Sequence, residues 1–263
     1  MRIDVLGVGF DDLSMTEAKD EALRLIREEK TAYTVTPNPE IVWEARKNGE
    51  LKAALDAADL VIPDGIGVVY GAAILKTPLK ERVPGIELCT LLIGEMSSSG
   101  GRVYLLGSKP GVAEKAAEEL KKRFPGLEVC GTGDGYFKDD APVIEKINAL
   151  KPDLLLVCLG FPKQEIWMHR CRDKVSAGMM MGLGGVLDVF AGDVKRAPDA
   201  WCRLGLEWLY RLLKQPSRIK RMINSVYPFV LVDRRLIRLR RVIMEEGISM
   251  PVVSKRRLLK KQI

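Results

Sequence analysis

Short apolar runs alternate with longer amphipathic stretches along most of this sequence, and this alternation restricts the fold more than any other feature. It is typical of an α/β architecture, in which helices cover both faces of a sheet. The stretch LLLVCLG at 154–160 is apolar throughout and predicts a central strand buried on both faces. The predicted strands lie at residues 2–6, 31–36, 59–62, 102–106, 127–131, 154–159 and 177–182. The predicted helices lie at residues 14–29, 38–47, 65–75, 85–98, 110–123, 140–150 and 163–173.

Charged residues are unevenly distributed along the 263 residues. The net charge is +7, but residues 195–263 hold 18 Lys+Arg against 5 Asp+Glu, so the remainder of the chain is slightly acidic. Beyond residue 195 the pattern is helical only, with arginines and apolar residues on separate stripes, which favours a membrane surface or an acidic partner. We predict an α/β catalytic domain at 1–194, a helical membrane-docking appendage at 195–246 and a basic, disordered tail at 247–263.

Several functional classes are disfavoured by what the sequence lacks. Five cysteines without a CxxC pair indicate free thiols, and a single histidine, His169, disfavours a histidine-based metal site or triad. The DxD signature, which is common at divalent-metal and nucleotide-sugar sites, does not occur in the sequence, and we expect no cofactor. GVGF at residues 7–10 lacks the third glycine of a dinucleotide fingerprint, which disfavours an oxidoreductase. No segment reads as a signal peptide or a membrane span, and we expect the protein to stay in the cytosol.

Six predicted strands end in stretches marked by glycine or proline. Ligands of open α/β sheets bind beyond the carboxyl ends of the strands, so these stretches predict a binding site along one edge. Glycine lets the backbone approach a ligand closely, and helix N-termini favour phosphate. The stretches are TPNPE (36–40), PDGIG (63–67), GSKPG (107–111), GTGDGYF (131–137), GFPKQE (160–165) and GLGGVLD (182–188).

Asp64 is the residue of these stretches that most needs an explanation, because its neighbours in LVIPDGIGVV are apolar. Desolvating a carboxylate is costly unless something compensates for it. An aspartate before a helix can act purely as an N-cap, whereas an apolar environment also strengthens a carboxylate as a base. The residues alone leave both explanations of Asp64 open. The stretch GTGDG is likewise either part of a binding site or a plain turn.

Eight ordered blocks carry a family resemblance: TPNPEIVWEAR, PDGIGVVYG, LKERVPGIEL, RVYLLGSKPGVAEKAAEEL, GDGYF, LGFPKQEIWM, GLGGVLDVFAGDVKRAP and LGLEWLYRLLKQPSR. With them the chain resembles the bacterial WecG/TagA/CpsF glycosyltransferase family over roughly residues 1–230. The resemblance implies a Rossmann-like α/β body with a helical appendage, peripheral on the inner face of the cell membrane. The implied reaction transfers N-acetylmannosamine from UDP-ManNAc to the 4-hydroxyl of GlcNAc on undecaprenyl diphosphate. It would proceed with inversion and without a divalent metal.

The resemblance also implies roles for three residues. Asp64 matches the family's PDG aspartate and would be the general base that accepts the proton of the acceptor hydroxyl. Thr36 and Asn38 match its TxN block and would orient substrate hydroxyls and help to position Asp64. Asp64 and Thr36 are therefore the predicted catalytic residues.

Further candidates follow from the need to stabilise a departing UDP with cationic groups and backbone donors. Arg82 would offset diphosphate charge, Gln164 would bind a sugar, and the GSKPG and GDGYF loops would bind UDP, with Tyr136 at its ring. Arginines of the appendage would either reach a diphosphate or only contact lipid headgroups. The predicted substrate-binding residues are Asn38, Arg82, Gly107, Gly135, Tyr136, Gln164, Arg211, Arg218 and Arg221.

Three alternatives stay open at this point. One alternative is that the donor is another UDP-sugar, such as UDP-ManNAc uronic acid, because a few contacts in the sugar pocket decide between these donors. The basic region would suit a non-enzymatic nucleic-acid-binding module, although it has no zinc pattern and its aromatic residues recur at packing spacing. A homo-oligomer that hides the apolar face of the appendage is a further hypothesis. The predicted partners are a UDP-sugar, the lipid-linked GlcNAc acceptor and an anionic membrane surface, without nucleic acid.

Overall fold

A computed structural model of the chain describes residues 1–203 and 207–214, without the side chains of Asp199, Arg203 and Arg211. Most of the predicted appendage and all of the predicted tail lie outside the described residues, and so do Arg218 and Arg221. The strands of the described chain are β1 (Arg2–Val5), β2 (Val8–Asp11), β3 (Ala32–Val35), β4 (Leu60–Val61), β5 (Arg102–Gly107), β6 (Glu128–Gly133), β7 (Leu154–Cys158) and β8 (Met179–Gly182). The helices are α1 (Met15–Ile26), α2 (Pro39–Ala45), α3 (Gly49–Asp56), α4 (Ile66–Ile74), α5 (Gly85–Ser99), α6 (Val112–Arg123), α7 (Ala141–Leu150), α8 (Lys163–Cys171), α9 (Val186–Phe190), α10 (Asp199–Arg203) and α11 (Glu207–Lys214).

A six-stranded parallel sheet in the order β4-β3-β8-β7-β5-β6 forms the centre of the fold, which confirms the predicted α/β class. Strand β7 lies between β5 and β8, and each of its side chains is buried, as LLLVCLG predicted. Successive residues of β7 point into different cores: Leu154 and Leu156 into one, Leu155 and Val157 into the other. Both faces of the sheet are therefore covered, as an all-parallel sheet requires.

Helices cover the two faces in a fixed division. Helices α1, α5, α6 and α9 contribute to the core on one face, and α2, α3, α4 and α8 contribute to the core on the other. Helix α1 begins with a capping box in which Ser14 and Glu17 bond to each other's backbone N–H groups. The short helices α3 and α9 were not predicted, although Asn48 caps α3 through a bond from the Leu51 N–H.

The N-terminal strand was predicted within the right range, and it lies outside the parallel sheet. β1 pairs antiparallel with β2, which the sequence did not predict, in a separate two-stranded hairpin. Leu6 and Gly7 form the turn at φ values of 54° and 93°, the left-handed geometry that suits a two-residue hairpin. The Asp11 carboxylate accepts a bond of 2.8 Å from the Val61 N–H, which attaches the hairpin to the edge strand β4.

Candidate active site

All six strands of the parallel sheet end at one edge, here called the carboxyl edge, and five of the predicted site residues follow or end these strands. Thr36 follows β3, Asp64 follows β4, and Gly107 ends β5. Gly135 follows β6, and Gln164 follows β7 in the first turn of α8. Parallel strands thus bring together residues that are far apart in sequence.

Asp64 is not the N-cap of the helix that follows it. Helix α4 has Gly65 at its N-cap position and no side-chain cap, so the purely local explanation of Asp64 is wrong. The half-buried Asp64 carboxylate instead accepts a bond of 3.0 Å from the Gly85 N–H, the first residue of α5. A helix N-terminus stabilises a nearby carboxylate anion, so this bond offsets part of the cost of placing the Asp64 charge among apolar neighbours.

Thr36 connects β3, β8 and the start of α5. Its hydroxyl donates a bond of 3.1 Å to the Gly182 carbonyl, and the residue is buried, at 8% exposure. The Thr36 methyl group packs closely against Gly85. A β-carbon added at Gly85 would lie 2.9 Å from Thr36 Cγ2. Thr36 therefore packs against the residue whose backbone N–H binds the Asp64 carboxylate.

Asn38 and Pro39 bring the start of α2 against the loop that carries Asp64. The Asn38 side-chain oxygen caps α2 by accepting bonds of 2.9 Å from the Glu40 N–H and 3.1 Å from the Ile41 N–H. That oxygen is used by the helix, so only the amide N–H₂ group of Asn38 is left to bind a substrate hydroxyl. The Pro39 ring fills the space in which β-carbons at Gly65 and Gly67 would lie, each 2.7 Å from a ring carbon. Close packing therefore explains the glycines of PDGIG.

Arg82 contacts the Asp64 loop and helix α11 at the same time. Its Nε donates a bond of 2.9 Å to the Asp64 carbonyl, and its Nη2 lies 2.9 Å from Glu207 Oε2. The Arg82 and Glu207 side chains are only 15% and 11% exposed. Sequence reasoning missed Glu207, although it is an isolated acidic residue within a strongly basic stretch.

Gln164 and Glu165 form a buried pair under the carboxyl edge. Gln164 accepts a bond of 2.8 Å from the Gly184 N–H and donates one of 2.9 Å to Glu165 Oε1. Glu165 is fully buried, and its Oε2 has no hydrogen-bond partner among the described residues. Burial raises the pKa of the Glu165 carboxyl above its ordinary value, and the bond from Gln164 opposes this shift. Sequence reasoning selected Gln164 and missed Glu165, whose place on the apolar face of α8 was the available signal.

The two predicted UDP loops meet on the other half of the edge. Gly135 N–H donates a bond of 2.9 Å to the Ser108 carbonyl, and the Lys163 ammonium lies 2.9 Å from the Gly135 carbonyl. Gly107 has φ of 134°, and a β-carbon there would collide with the Cys158 backbone. The arrangement places two glycine-lined loops and one lysine side by side.

Other groups next to these loops differ in how far they are available to a ligand. Tyr136 is 68% exposed, so its ring is accessible for stacking. Asp188 was not predicted; it accepts a bond of 3.0 Å from the Ser108 hydroxyl and links α9 to the loop after β5. Burial raises the pKa of the Cys158 thiol to about 12, which keeps it an unreactive thiol at neutral pH.

The predictions on the appendage arginines, a metal site and a membrane span concern residues that the structure describes only in part. Arg211 lies on α11 but its side chain is not described, and Arg218 and Arg221 are beyond the described chain. Within residues 1–203 and 207–214, no group of three or more His, Cys, Asp or Glu side chains is placed to hold a metal ion. No helix in that part of the chain is both long and apolar enough to cross a membrane.

A parallel α/β sheet with a carboxylate, an arginine and glycine-lined loops at its carboxyl edge is typical of the α/β proteins that bind ligands at that edge. The family model of the glycosyl transferase WecG/TagA/CpsF family matches residues 3–242, and the chain belongs to this family. The predicted family is thus confirmed. The chain is a glycosyltransferase rather than an oxidoreductase or a non-enzymatic nucleic-acid-binding module.

Curated relatives agree with this assignment. The chain is 43% identical over 195 residues to a Bacillus spizizenii protein, which is 74% of this chain and 76% of the relative. It is 35% identical over 240 residues to a Staphylococcus aureus (strain NCTC 8325 / PS 47) protein, which is 89% of this chain and 94% of the relative. A Bacillus subtilis relative is 36% identical over 193 residues, 73% of this chain and 75% of that protein. All three are named N-acetylglucosaminyldiphosphoundecaprenol N-acetyl-beta-D-mannosaminyltransferase.

Proposed function

We propose that this protein transfers N-acetylmannosamine from UDP-ManNAc to the 4-hydroxyl of GlcNAc on undecaprenyl diphosphate, forming a β-1,4 linkage with inversion. The names of relatives that share up to 43% of aligned residues support this donor sugar and this acceptor. The product would serve as the linkage unit of a cell-wall polymer such as teichoic acid. The alternative donor is another UDP-sugar, such as UDP-ManNAc uronic acid.

The observation that carries the proposal is the hydrogen bond of the Asp64 carboxylate to the first N–H of α5 at the carboxyl edge. A sugar hydroxyl is a weak nucleophile and needs a base within hydrogen-bond reach. We assign the acceptor hydroxyl to the Asp64 carboxylate, which the Gly85 N–H holds at the carboxyl edge. As the proton moves to Asp64, the acceptor oxygen bonds to the anomeric carbon of the donor. The bond from that carbon to the β-phosphate oxygen breaks, and UDP leaves with the electron pair.

Stabilisation of the departing diphosphate is assigned to cationic groups and backbone donors rather than to a metal ion. Arg82 lies beside the Asp64 loop, and the loops of Gly107 and Gly135 are aligned with Lys163 on the neighbouring half of the edge. We assign the nucleotide to these loops, with its uracil against the exposed ring of Tyr136. Arg211, Arg218 and Arg221 would contact the diphosphate of the donor or of the lipid.

Membrane association follows from the acceptor, whose undecaprenyl chain resides in a bilayer. We assign docking on the inner face of the cell membrane to the basic region beyond residue 195, which attracts anionic lipid. A homo-oligomer that covers the apolar face of this region away from the membrane remains part of the proposal.

Product analysis tests this function directly. Purified protein is incubated with a lipid-linked GlcNAc-diphosphate acceptor and one of UDP-ManNAc, UDP-GlcNAc or UDP-ManNAc uronic acid, and the products are identified by mass spectrometry. We expect UDP-ManNAc to give a disaccharide lipid, with a β-1,4 linkage by NMR. Transfer from the uronic acid donor alone would instead select the alternative. Absence of transfer from every donor, in protein that binds UDP, would refute the proposed acceptor.

A further inference from the structure

A short segment at residues 82–87 contacts both the candidate base and the chain beyond residue 195. It comprises the end of the loop before α5 and the first turn of that helix. The segment forms hydrogen bonds with the Asp64 loop. It also forms two ion pairs with residues beyond position 195. We call the described residues 195–203 and 207–214 the C-terminal arm.

Three hydrogen bonds join the 82–87 segment to the Asp64 loop. Gly85 N–H binds the Asp64 carboxylate at 3.0 Å, and Arg82 Nε binds the Asp64 carbonyl at 2.9 Å. Val83 N–H binds the Pro63 carbonyl, also at 3.0 Å. The orientation of the Asp64 carboxylate therefore depends on where this segment lies.

Two ion pairs join the same segment to the C-terminal arm. Arg196 pairs with Glu87, and Glu207 pairs with Arg82 at 2.9 Å. Arg82 and Glu207 are the least exposed of the ion-paired residues described, at 15% and 11% of their side-chain area. Weak solvent screening makes a mostly buried charge pair a stronger geometric constraint than the exposed pairs elsewhere on the protein.

We propose that Glu207 is a positioning residue that orients the Arg82 guanidinium and thereby couples the C-terminal arm to Asp64. The guanidinium is planar, so two bonds at Nε and Nη2 fix the direction of the third nitrogen, Nη1. Among the described residues, no acceptor bonds to Nη1, which is the edge left for a phosphate oxygen. Without the Glu207 carboxylate, Arg82 keeps one bond and loses this fixed direction.

The inference rests on the proposed function in one respect: the phosphate that Arg82 meets is that of the sugar donor. It goes further in assigning a role to an acidic residue of the arm, which acts without touching substrate. Both Asp64 and Arg82 act as the glycosidic bond breaks, so disturbing them lowers turnover more than donor binding.

The first test compares two substitutions, Glu207→Gln and Glu87→Gln, in the full-length chain. Each one breaks one of the two ion pairs between the segment and the C-terminal arm. Each substitution removes one carboxylate that anchors the arm, but only Glu207 contacts Arg82. We expect Glu207→Gln to lower kcat about tenfold with less than a threefold change in the donor KM. We expect Glu87→Gln to change kcat less than threefold. Equal losses of kcat in the two variants would overturn the proposal, because they would report arm anchoring alone.

A second test uses Arg82→Lys, which keeps the charge and loses the planar fork. If Glu207 acts through Arg82, Glu207→Gln costs much less kcat in the Arg82→Lys background than in the wild-type chain. Additive losses would refute the coupling.

Hydrogen exchange provides a readout independent of activity. We expect Glu207→Gln to accelerate exchange of the Gly85 N–H together with the amides of residues 207–214, and Glu87→Gln to leave Gly85 protected. Unchanged protection of Gly85 in folded Glu207→Gln protein would overturn the proposal. Because this measurement needs neither donor nor acceptor, it would succeed or fail independently of the proposed sugar transfer.

Discussion

The backbone N–H of Gly85 binds the Asp64 carboxylate over 3.0 Å and joins the start of α5 to the loop after β4. These two residues are 21 positions apart in sequence. The bond answers the question of why a carboxylate follows an apolar strand: a helix N-terminus from elsewhere in the chain compensates its charge. It also fixes the position of one carboxylate oxygen.

Replacement of Asp64 tests its role as base. We expect Asp64→Asn and Asp64→Ala each to lower kcat at least about 100-fold, within the range that general-base catalysis contributes. The loss follows because neither side chain accepts a proton from a hydroxyl at neutral pH. Asp20→Asn, at an exposed position of α1, is the control, and thermal unfolding verifies that all three variants are folded. Near-normal turnover in Asp64→Ala would remove Asp64 from this role.

The contact between Gly85 and Thr36 predicts a specific steric effect. A β-carbon at Gly85 would lie 2.9 Å from Thr36 Cγ2 and 3.1 Å from Leu183 Cδ2, so Gly85→Ala must displace the start of α5. We expect a loss of about 1–3 kcal/mol in the free energy of unfolding and a loss of turnover of about tenfold. Denaturant titration and steady-state kinetics measure the two effects.

A second-site substitution distinguishes this clash from a general intolerance of α5. Thr36→Ser deletes the methyl group and keeps the hydroxyl that binds Gly182, so it should restore part of the stability and turnover lost in Gly85→Ala. Gly94→Ala, in the same helix, meets only Phe124 at 3.8 Å and should be tolerated. Strictly additive effects of Thr36→Ser and Gly85→Ala would contradict the steric explanation.

Glu165 predicts a pH dependence of stability. The pKa of the Glu165 carboxyl is raised in the folded state, so the unfolded chain loses this proton at a lower pH than the folded protein does. The free energy of unfolding therefore decreases as the pH rises. Glu165→Gln removes this titration, so its stability relative to wild type should increase as the pH rises above the ordinary pKa of a glutamate. Urea unfolding at several pH values gives the difference, with the exposed Glu118→Gln as control. A constant difference between Glu165→Gln and wild type would show that Glu165 is ionised in the folded protein.

The proposed stabilisation of UDP by cationic groups predicts metal-independent turnover. We expect the rate of sugar transfer to be unchanged in EDTA and after addition of Mg²⁺ or Mn²⁺. The measurement is the initial rate with the lipid-linked acceptor in metal-free buffer. A rate that falls in EDTA and returns with one divalent ion would show that a metal ion takes part.

Membrane docking is tested by truncation after Lys214, which keeps the Arg82–Glu207 pair. Residues 215–263 hold 13 Lys+Arg against 3 Asp+Glu, so we expect the truncated protein to lose sedimentation with vesicles of anionic lipid. Full-length protein with neutral vesicles, and with anionic vesicles at high salt, provides the controls. Sedimentation of the truncated protein at the full-length level would place the membrane contact within residues 1–214.

Apolar periodicity correctly predicted the six strands of the parallel sheet and most of its helices. That success follows from burial, because a strand such as LLLVC inside a sheet can carry no charge on either face. The hairpin of β1 and β2 was not predicted, since its turn uses Leu6 at a positive φ in place of the usual Asn or Gly.

The sequence by itself determined that strands end in polar, glycine-marked loops and that Asp64 is exceptional among apolar neighbours. Only the tertiary structure decided which groups meet: Asp64 with Gly85, Arg82 with Glu207, and Gln164 with Glu165 and Gly184. The physical reason is that local sequence fixes where an element begins and ends, whereas hydrogen bonds at the carboxyl edge depend on strand order. That order places β8 and β7 between β3 and β5, a result of packing the whole sheet that no short stretch encodes.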